Sequence, residues 1–138
     1  MVAQTPITPS DLLDLEHNGL FELVGGKLVE KSMSSLSSRT AGIITIRLGI
    51  HNEQSRFGEI YPEQSFQCFP KVSDLIRRPD LAFITTDRLA AVEEQGHVTV
   101  APDLAIEVVS LNDKIYELDE KLEDYWSAGV KIVWVVNP

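Results

Sequence analysis

The chain has 138 residues, 43% of them apolar, and a formal net charge of −9 at pH 7. This length is typical of one hydrophobic core, so a single domain over residues 1–138 is expected. The acidic charge argues against a protein that coats nucleic acid passively, because such a protein needs a basic surface, but it leaves room for a nuclease with local basic residues.

The sequence carries no recognisable targeting or membrane signal. No apolar segment is long enough to span a bilayer, and the N-terminus M-V-A-Q-T-P lacks the basic region and apolar stretch of a signal peptide. A single cysteine, Cys68, excludes an internal disulfide. We therefore expect a cytoplasmic protein without a membrane partner.

A short helix and a β-hairpin are predicted at the start of the chain. Thr8 caps the helix, Pro9 takes its first position and Asp11 completes a capping box. The helix should end near residues 18–19, where Asn precedes Gly. Two glycines at 25–26 then separate the short runs F-E-L-V and K-L-V-E, which predicts a tight hairpin.

A longer helix is predicted from about residue 36 to residue 54. Its apolar residues recur every three or four positions, as they do along one face of a helix. They form two adjacent rows, Ile43, Ile46 and Ile50 with Ala41, Ile44 and Leu48 beside them.

The rest of the chain is predicted to be mostly sheet. Residues 58–69 alternate like strands, and Pro62 favours an edge or a bend there. Strands at 80–85, 103–109 and 131–136 are interleaved with helices at 87–95 and 113–128. The final strand, helix and strand form a β-α-β unit, so its strands should be parallel with a right-handed crossover. The predicted fold class is α/β, a mixed sheet flanked by helices.

Two of these strands contain an acid among β-forming apolar residues. Residues 77–85 read R-R-P-D-L-A-F-I-T, and residues 102–110 read P-D-L-A-I-E-V-V-S. A carboxylate in such a strand is costly unless a cation meets it, so Asp80 and Glu107 are predicted to converge on one. The alternatives are that Asp80 caps a turn after its proline and that Glu107 faces solvent on an edge strand. Asp103 takes the same place as Asp80 in its own strand and is interpreted as structural.

Lys121 is the candidate cationic side chain of the last helix. It lies three residues after Leu118 and four before Tyr125, beside the apolar stripe that should face the sheet. The alternative is a boundary lysine, with its stem on the core and its ammonium in water. Two acids and a lysine are the groups that metal-assisted phosphodiester cleavage requires.

Other polar residues leave their roles open. Glu22 in the hairpin is either a surface residue or a third acid of the site. Arg77 and Arg78, with Lys71 nearby, form the one basic cluster of note, either a solvated loop or phosphate contacts. The three histidines, His17, His51 and His97, are too widely separated for metal-ligand spacing.

Several blocks together resemble the Uma-type family of putative restriction endonucleases, part of the PD-(D/E)xK nuclease superfamily. These are P-D-L-A-F-I-T, P-D-L-A-I-E-V-V-S, the hairpin F-E-L-V-G-G-K-L-V-E and, most specifically, E-L-D-E-K-L-E-D-Y-W-S-A-G-V-K-I-V-W-V-V-N-P. The resemblance extends from about residue 8 to residue 138. It implies a restriction-endonuclease-like fold, a divalent metal (Mg²⁺ or Mn²⁺) and DNA as the substrate.

The resemblance also implies roles for particular residues. Asp80 matches the motif aspartate, and Glu107 matches the motif acid. Val109 stands where the superfamily usually has its lysine, and Lys121 matches a lysine that this family supplies from the following helix. Glu22 matches a recurrent supporting glutamate. The carboxylates would hold the metal together with the backbone carbonyl of Val108.

The expected function is therefore Mg²⁺-dependent endonucleolytic hydrolysis of DNA. Two alternatives remain: a non-catalytic nuclease-fold module with a binding or regulatory role, and a small oligomeric interaction protein. Members of the family usually continue past V-V-N-P with further strands, whereas this sequence ends there. A fold without the C-terminal strands would expose an apolar sheet edge, so a homo-oligomer that buries Trp134 is expected.

Overall fold

A four-stranded sheet, a separate β-hairpin and three α-helices make up the computed structural model, which describes residues 5–15 and 19–138. The elements in chain order are α1 (Pro9–Leu15), β1 (Phe21–Val24), β2 (Lys27–Glu30), α2 (Ser35–Ser55), β3 (Gly58–Pro62), β4 (Leu81–Thr85), a 3₁₀ helix (Thr86–Ala91), β5 (Leu104–Val108), α3 (Ile115–Ser127) and β6 (Ile132–Val136).

The sheet has the strand order β3-β4-β5-β6. The pairs β3–β4 and β4–β5 are antiparallel, and β5–β6 is parallel. The predicted mixed sheet with flanking helices is confirmed, as is the parallel pair of the β-α-β unit. Pro62 ends the edge strand β3, where a residue without an N–H leaves the ladder intact.

Local sequence signals account for the N-terminal elements. The Thr8 N–H donates to Asp11 Oδ2 at 2.8 Å and the Asp11 N–H donates to Thr8 Oγ1 at 3.2 Å, which is the predicted capping box. The predicted end of this helix falls partly on residue 18, which lies outside the described residues, and His17 lies outside them too. Gly25 and Gly26 have φ angles of 56° and 73°, a left-handed pair that a tight hairpin turn requires.

The hairpin is attached to the segment that leads into β4. Leu23 and Ile76 exchange backbone hydrogen bonds of 3.0 and 2.9 Å, and both side chains pack with Leu12 of α1. This attachment places β1 beside the chain that carries the two arginines and Asp80.

The two apolar rows of α2 have different environments. The inner row packs against a buried group from β4 and β5; the row is Ala41, Ile44 and Leu48, and the group is Leu81, Ile106 and Val108. The other row is about half exposed, at 47% for Ile43, 62% for Ile46 and 54% for Ile50. Both rows have helical spacing, so the periodicity predicted the helix but could not choose its buried face.

Two predicted helices differ in detail. The segment predicted as a helix over 87–95 is a 3₁₀ helix over Thr86–Ala91. Helix α3, predicted over 113–128, has Lys114 as its N-cap, and the Asp113 carboxylate just before it accepts the Ser110 N–H at 2.7 Å. Gly129, at φ 85°, lies just beyond its C-terminus, where glycine readily adopts the left-handed conformation. Within the described ranges, none of the helices has the length and apolar character needed to cross a membrane.

Candidate active site

Asp80 and Glu107 lie at the same end of two neighbouring central strands. Leu81 pairs with Ile106 in the antiparallel β4–β5 ladder. Continuing this register by one residue places Asp80 opposite Glu107. Side chains of directly opposed residues project to one face of a sheet. Asp80 Oδ2 also accepts the Val108 N–H at 2.6 Å, which ties the aspartate to the end of β5.

A third residue, Lys31, fills the space beside these acids. Its Nζ lies 2.7 Å from Asp80 Oδ1 and 3.0 Å from Glu63 Oε2, and its side chain is only 4% exposed. Burial by itself would lower the pKa of Lys31, but the negative charges of Glu107, Asp80 and Glu63 raise it above its ordinary value. The ammonium therefore remains charged at neutral pH.

Glu63 is held in an unusual backbone conformation next to this ammonium. Its φ of 52° lies in the left-handed region, which a non-glycine residue adopts at a cost of about 1–3 kcal/mol. Its N–H donates to the Asp80 carbonyl at 3.1 Å, and its own carbonyl accepts Arg78 Nη1 at 2.5 Å. These bonds fix the backbone, so the carboxylate is aimed at Lys31 instead of following β3 into solvent.

Glu107 is buried between two cations and a phenol. Its Oε1 accepts the Tyr125 hydroxyl at 2.5 Å, and its Oε2 lies 3.8 Å from Lys121 Nζ. Burial raises the pKa of Glu107. The positive charges of Lys121 and Lys31 oppose that rise, whereas the nearby acids Glu22 and Asp80 add to it. The alternative of a solvent-facing Glu107 on an edge strand is wrong, since β5 lies between β4 and β6.

Lys121 joins Glu107 to the hairpin. Its Nζ lies 3.3 Å from Glu22 Oε1, and its side chain is 18% exposed. Glu22 is 1% exposed and also accepts the Arg78 N–H at 3.0 Å and Arg77 Nη1 at 3.1 Å. The ammonium therefore lies between two carboxylates, not free in water. Glu22, for which a surface location was one alternative, is an internal member of the site.

The positions of the two arginines contradict both interpretations of the basic cluster, the solvated loop and the phosphate contacts. Arg77 and Arg78 are only 3% and 5% exposed. Arg77 Nε donates to Asp124 Oδ2 at 2.8 Å, and Arg78 Nε donates to the Phe21 carbonyl at 3.2 Å. The Arg77 guanidinium is paired with Asp124 and Glu22, and the Arg78 guanidinium with the Phe21 and Glu63 carbonyls, so a phosphate would have to compete with these partners. The pair braces the hairpin against α3 and β4, which argues against phosphate contact and against a solvated loop.

We refer to six of these residues as the carboxylate–lysine cluster: Glu22, Lys31, Glu63, Asp80, Glu107 and Lys121. Several clefts among the described residues reach it: a narrow one beside Glu107 and Lys121, and two wider ones. One of the wider clefts, of about 430 Å³, is lined by Glu22, Lys31 and Lys121 among others. The second, of about 240 Å³, lies against α2 and is lined by Glu63 and Asp80. Small ligands can therefore approach the cluster from either side.

The donor chemistry of the cluster suits a hard cation. Asp80 and Glu63 direct carboxylate oxygens, the donors that Mg²⁺ and Mn²⁺ prefer, at one positive centre. That centre is the Lys31 ammonium. Over residues 5–15 and 19–138, no three His, Cys, Asp or Glu side chains are arranged to hold a metal ion directly. The carboxylates converge on the ammonium and not on each other. Val108 joins the cluster through its N–H, and the ligand role of its carbonyl stays a prediction.

The family model Uma2, described as a putative restriction endonuclease, matches residues 9–138. The chain belongs to this family. The chain is also similar in fold to a crystal structure at 1.96 Å of a putative nuclease belonging to DUF820 from Anabaena variabilis ATCC 29413, with a TM-score of 0.67 and 20% sequence identity. That match covers 94% of this chain and 73% of the other, and it confirms the predicted fold. No curated protein matches the chain significantly.

Three residues that contact the acids of the candidate site or belong to it were not identified from the sequence: Lys31, Glu63 and Tyr125. Tyr125 was assigned to the apolar stripe of α3, and its spacing of four from Lys121 does place both on the inward face. Glu63 follows Pro62 in a segment that alternates like a strand, and nothing in that segment signals a left-handed residue. Lys31 is separated from Asp80 by 49 positions and from Glu63 by 32, so only the folded chain brings them together.

Proposed function

We propose that the protein is a divalent-metal-dependent endonuclease that hydrolyses DNA phosphodiester bonds, with Asp80, Glu107 and Lys121 as its catalytic residues. The observation that carries the proposal is that Asp80, just before β4, lies opposite Glu107 of β5, and that Glu107 Oε2 is 3.8 Å from Lys121 Nζ of α3, in a chain of the Uma2 family. Three separate elements supply the acids and the lysine, and they meet beside an accessible cleft.

In this proposal the ion is held by Asp80, Glu107 and the Val108 carbonyl, with the Glu63 carboxylate within reach of the same place. Bound Mg²⁺ or Mn²⁺ supplies Lewis-acid polarisation of the phosphate and lowers the pKa of a coordinated water. The Asp80 carboxylate is already fixed by the Val108 N–H. Such preorganisation keeps an oxygen donor in place without a further ordering cost.

Lys121 is assigned the charge that stabilises the phosphate oxygens in the transition state. Its Nζ is close enough to Glu107 to lie beside a phosphate held there. Glu22 is a positioning residue, since it contacts Lys121 while Arg78 and Arg77 fix its carboxylate. With a net charge of −9, DNA binding should depend on such local cations and weaken with salt.

A nicking assay on supercoiled DNA in Mg²⁺ or Mn²⁺ tests this assignment. Lys121→Met should keep the stem packing but reduce cleavage by roughly two to three orders of magnitude, the scale of one preorganised stabiliser. Calorimetry should show metal binding largely retained, because carboxylates hold the ion. Lys131→Met removes the same charge at an exposed lysine that pairs with Asp103, outside the cluster, and should leave cleavage unchanged.

The assay also separates the alternatives. Equal cleavage by the parent and Lys121→Met would contradict the catalytic role of Lys121. Metal binding without cleavage by any variant would favour a non-catalytic nuclease-fold module with a binding or regulatory role. That second function has one specific observation in its favour, which is that Lys31 already fills the cation position between Asp80 and Glu63.

A further inference from the structure

We propose that Lys31 is a built-in competitor of the metal ion: its ammonium occupies the cation position of the cluster, and a divalent ion binds only when Lys31 leaves. The inference rests on the proposed function only for the identity of the ion. It assigns to Lys31 the control of metal affinity, a property separate from the hydrolytic step.

The contacts of Lys31 make simultaneous occupancy unfavourable. Its Nζ is 2.7 Å from Asp80 Oδ1, and Mg²⁺ would bind such an oxygen at about 2.0–2.1 Å. Both cations would then share one carboxylate oxygen and lie within a few ångströms of each other, in a site sheltered from water. Their repulsion at that separation is strong, because little solvent screens it.

The acids around Lys31 would not remain unpaired if it left. Asp80 and Glu63 both direct oxygens at its position, and Glu107 acts on it at longer range. An ion arriving there would inherit the same carboxylates. Displacement is therefore an exchange of one cation for another, and the free energy of the lysine contacts is subtracted from the affinity for the metal.

The backbone of Glu63 indicates that this position is specifically built. A left-handed non-glycine residue persists only where its surroundings determine it. Here that conformation directs the carboxylate to the cation position, while the carbonyl is held by Arg78. An incidental surface ion pair would not require such a conformation.

A purely structural ion pair and a competitor give opposite results when the charge of Lys31 is removed. Lys31→Met should melt at a lower temperature than the parent without metal, because two partly buried carboxylates lose their buried cation. Its dissociation constant for Mg²⁺ or Mn²⁺, measured by calorimetry, should fall by about tenfold or more, within the range usual for coupling between two ligands. Added metal should then restore its melting temperature.

Lys131→Met is the matched control. Lys131 pairs with Asp103 at 3.0 Å, as Lys31 pairs with Asp80, but outside the cluster. Its metal affinity should equal that of the parent. Lys31→Gln provides a second neutral variant, able to hydrogen bond to Asp80 and Glu63, in case Lys31→Met does not fold.

Amine labelling of the unaltered protein gives an independent readout. Lys31 is 4% exposed and should resist an amine-reactive reagent without metal. Saturating Mg²⁺ should expose it, and mass spectrometry should then detect labelling at this position. Exposed Lys71 should react equally in both conditions.

The outcomes separate this inference from the proposed function. Tighter metal binding by Lys31→Met with no DNA cleavage by any variant would support the competitor and reject the nuclease. Equal metal affinity in the parent and both Lys31 variants would overturn the competitor, even if all of them cleave DNA. Failure of every variant to bind metal would overturn it as well.

Discussion

The tetrapeptide P-D-L-A occurs twice in this chain, at residues 79–82 and 102–105. Its two aspartates accept equivalent backbone hydrogen bonds but pair with different lysines. Asp80 Oδ2 accepts the Val108 N–H at the end of β5, and Asp103 Oδ2 accepts the Thr85 N–H at the end of β4. The strands are antiparallel, so the aspartates lie at opposite ends of the central pair.

Their second oxygens meet different lysines. Asp80 Oδ1 contacts Lys31, which is 4% exposed, whereas Asp103 Oδ1 contacts Lys131, which is 71% exposed. Arg88 adds a second cation to Asp103 at 3.0 Å. The same local sequence thus produces the same strand-end hydrogen bond. Only the elements that pack nearby make one aspartate a candidate ligand and leave the other as a brace.

Cleavage should show the largest difference between the two aspartates. Asp80→Asn removes a ligand charge and should reduce nicking of supercoiled DNA by roughly two to three orders of magnitude, whereas Asp103→Asn should stay near the parent. The two changes are chemically identical, so each is the control for the other. Comparable losses in both variants, at temperatures where both are folded, would erase the distinction between ligand and brace.

The sequence predicted those features that local signals determine. Glycines at 25–26 identified the hairpin, the capping box identified α1, and the β-α-β pattern set β5 and β6 parallel. It also indicated Asp80 and Glu107 as candidate site acids, because one directly precedes an apolar strand and the other lies within one; their roles stay predictions. The two lysine partners of the P-D-L-A aspartates could not be told apart, since nothing near Lys31 or Lys131 in the chain reports their burial.

The remaining features depend on long-range packing. The exposed row of α2 is as apolar as its buried row, so the choice of face follows from the position of β4 and β5. The burial of Arg77 and Arg78 follows from the docking of the hairpin, which supplies Glu22 and the Phe21 carbonyl. Consecutive arginines before a proline give no local sign of this.

A smaller effect is expected on the pH dependence of stability, through Asp103. Burial alone would raise the pKa of Asp103, but hydrogen bonds from Thr85 and from Lys131 and Arg88 lower it from its ordinary 3.8 to about 2. Because the folded-state pKa is the lower one, the stabilisation is complete above about pH 4 and is lost as the pH falls through about 2. With solvent screening, it should amount to about 1 to 2 kcal/mol.

Urea unfolding at pH 6 and pH 3 measures this contribution. The parent should lose more stability between these two values than Asp103→Asn, which lacks the titrating group. Asp74→Asn, a change at an exposed aspartate, should behave like the parent. An unchanged pH slope in Asp103→Asn would show that the carboxylate is not the brace that its contacts suggest.

The two outer strands of the sheet differ in how well they are covered. Next to β4, strand β3 is packed against α2 through Asn52, which hydrogen bonds Gly58. Next to β5, strand β6 exposes apolar side chains, at 52% for Ile132, 44% for Trp134 and 43% for Val135. Asp103 supports this strand, since its carbonyl accepts the Ile132 N–H at 3.1 Å. Exposed apolar edges of this kind favour association.

We therefore predict a homodimer at tens of micromolar in which β6 is buried. Trp134→Arg should weaken dimerisation by about 1 kcal/mol or more, roughly fivefold in the dissociation constant, because interface tryptophans are common hot spots. Phe57→Arg, 59% exposed beside the opposite edge of the sheet, is the matched control and should leave the dimer intact. Light scattering measures the mass directly. A monomeric parent at these concentrations would contradict the prediction, because β6 would then stay exposed to solvent.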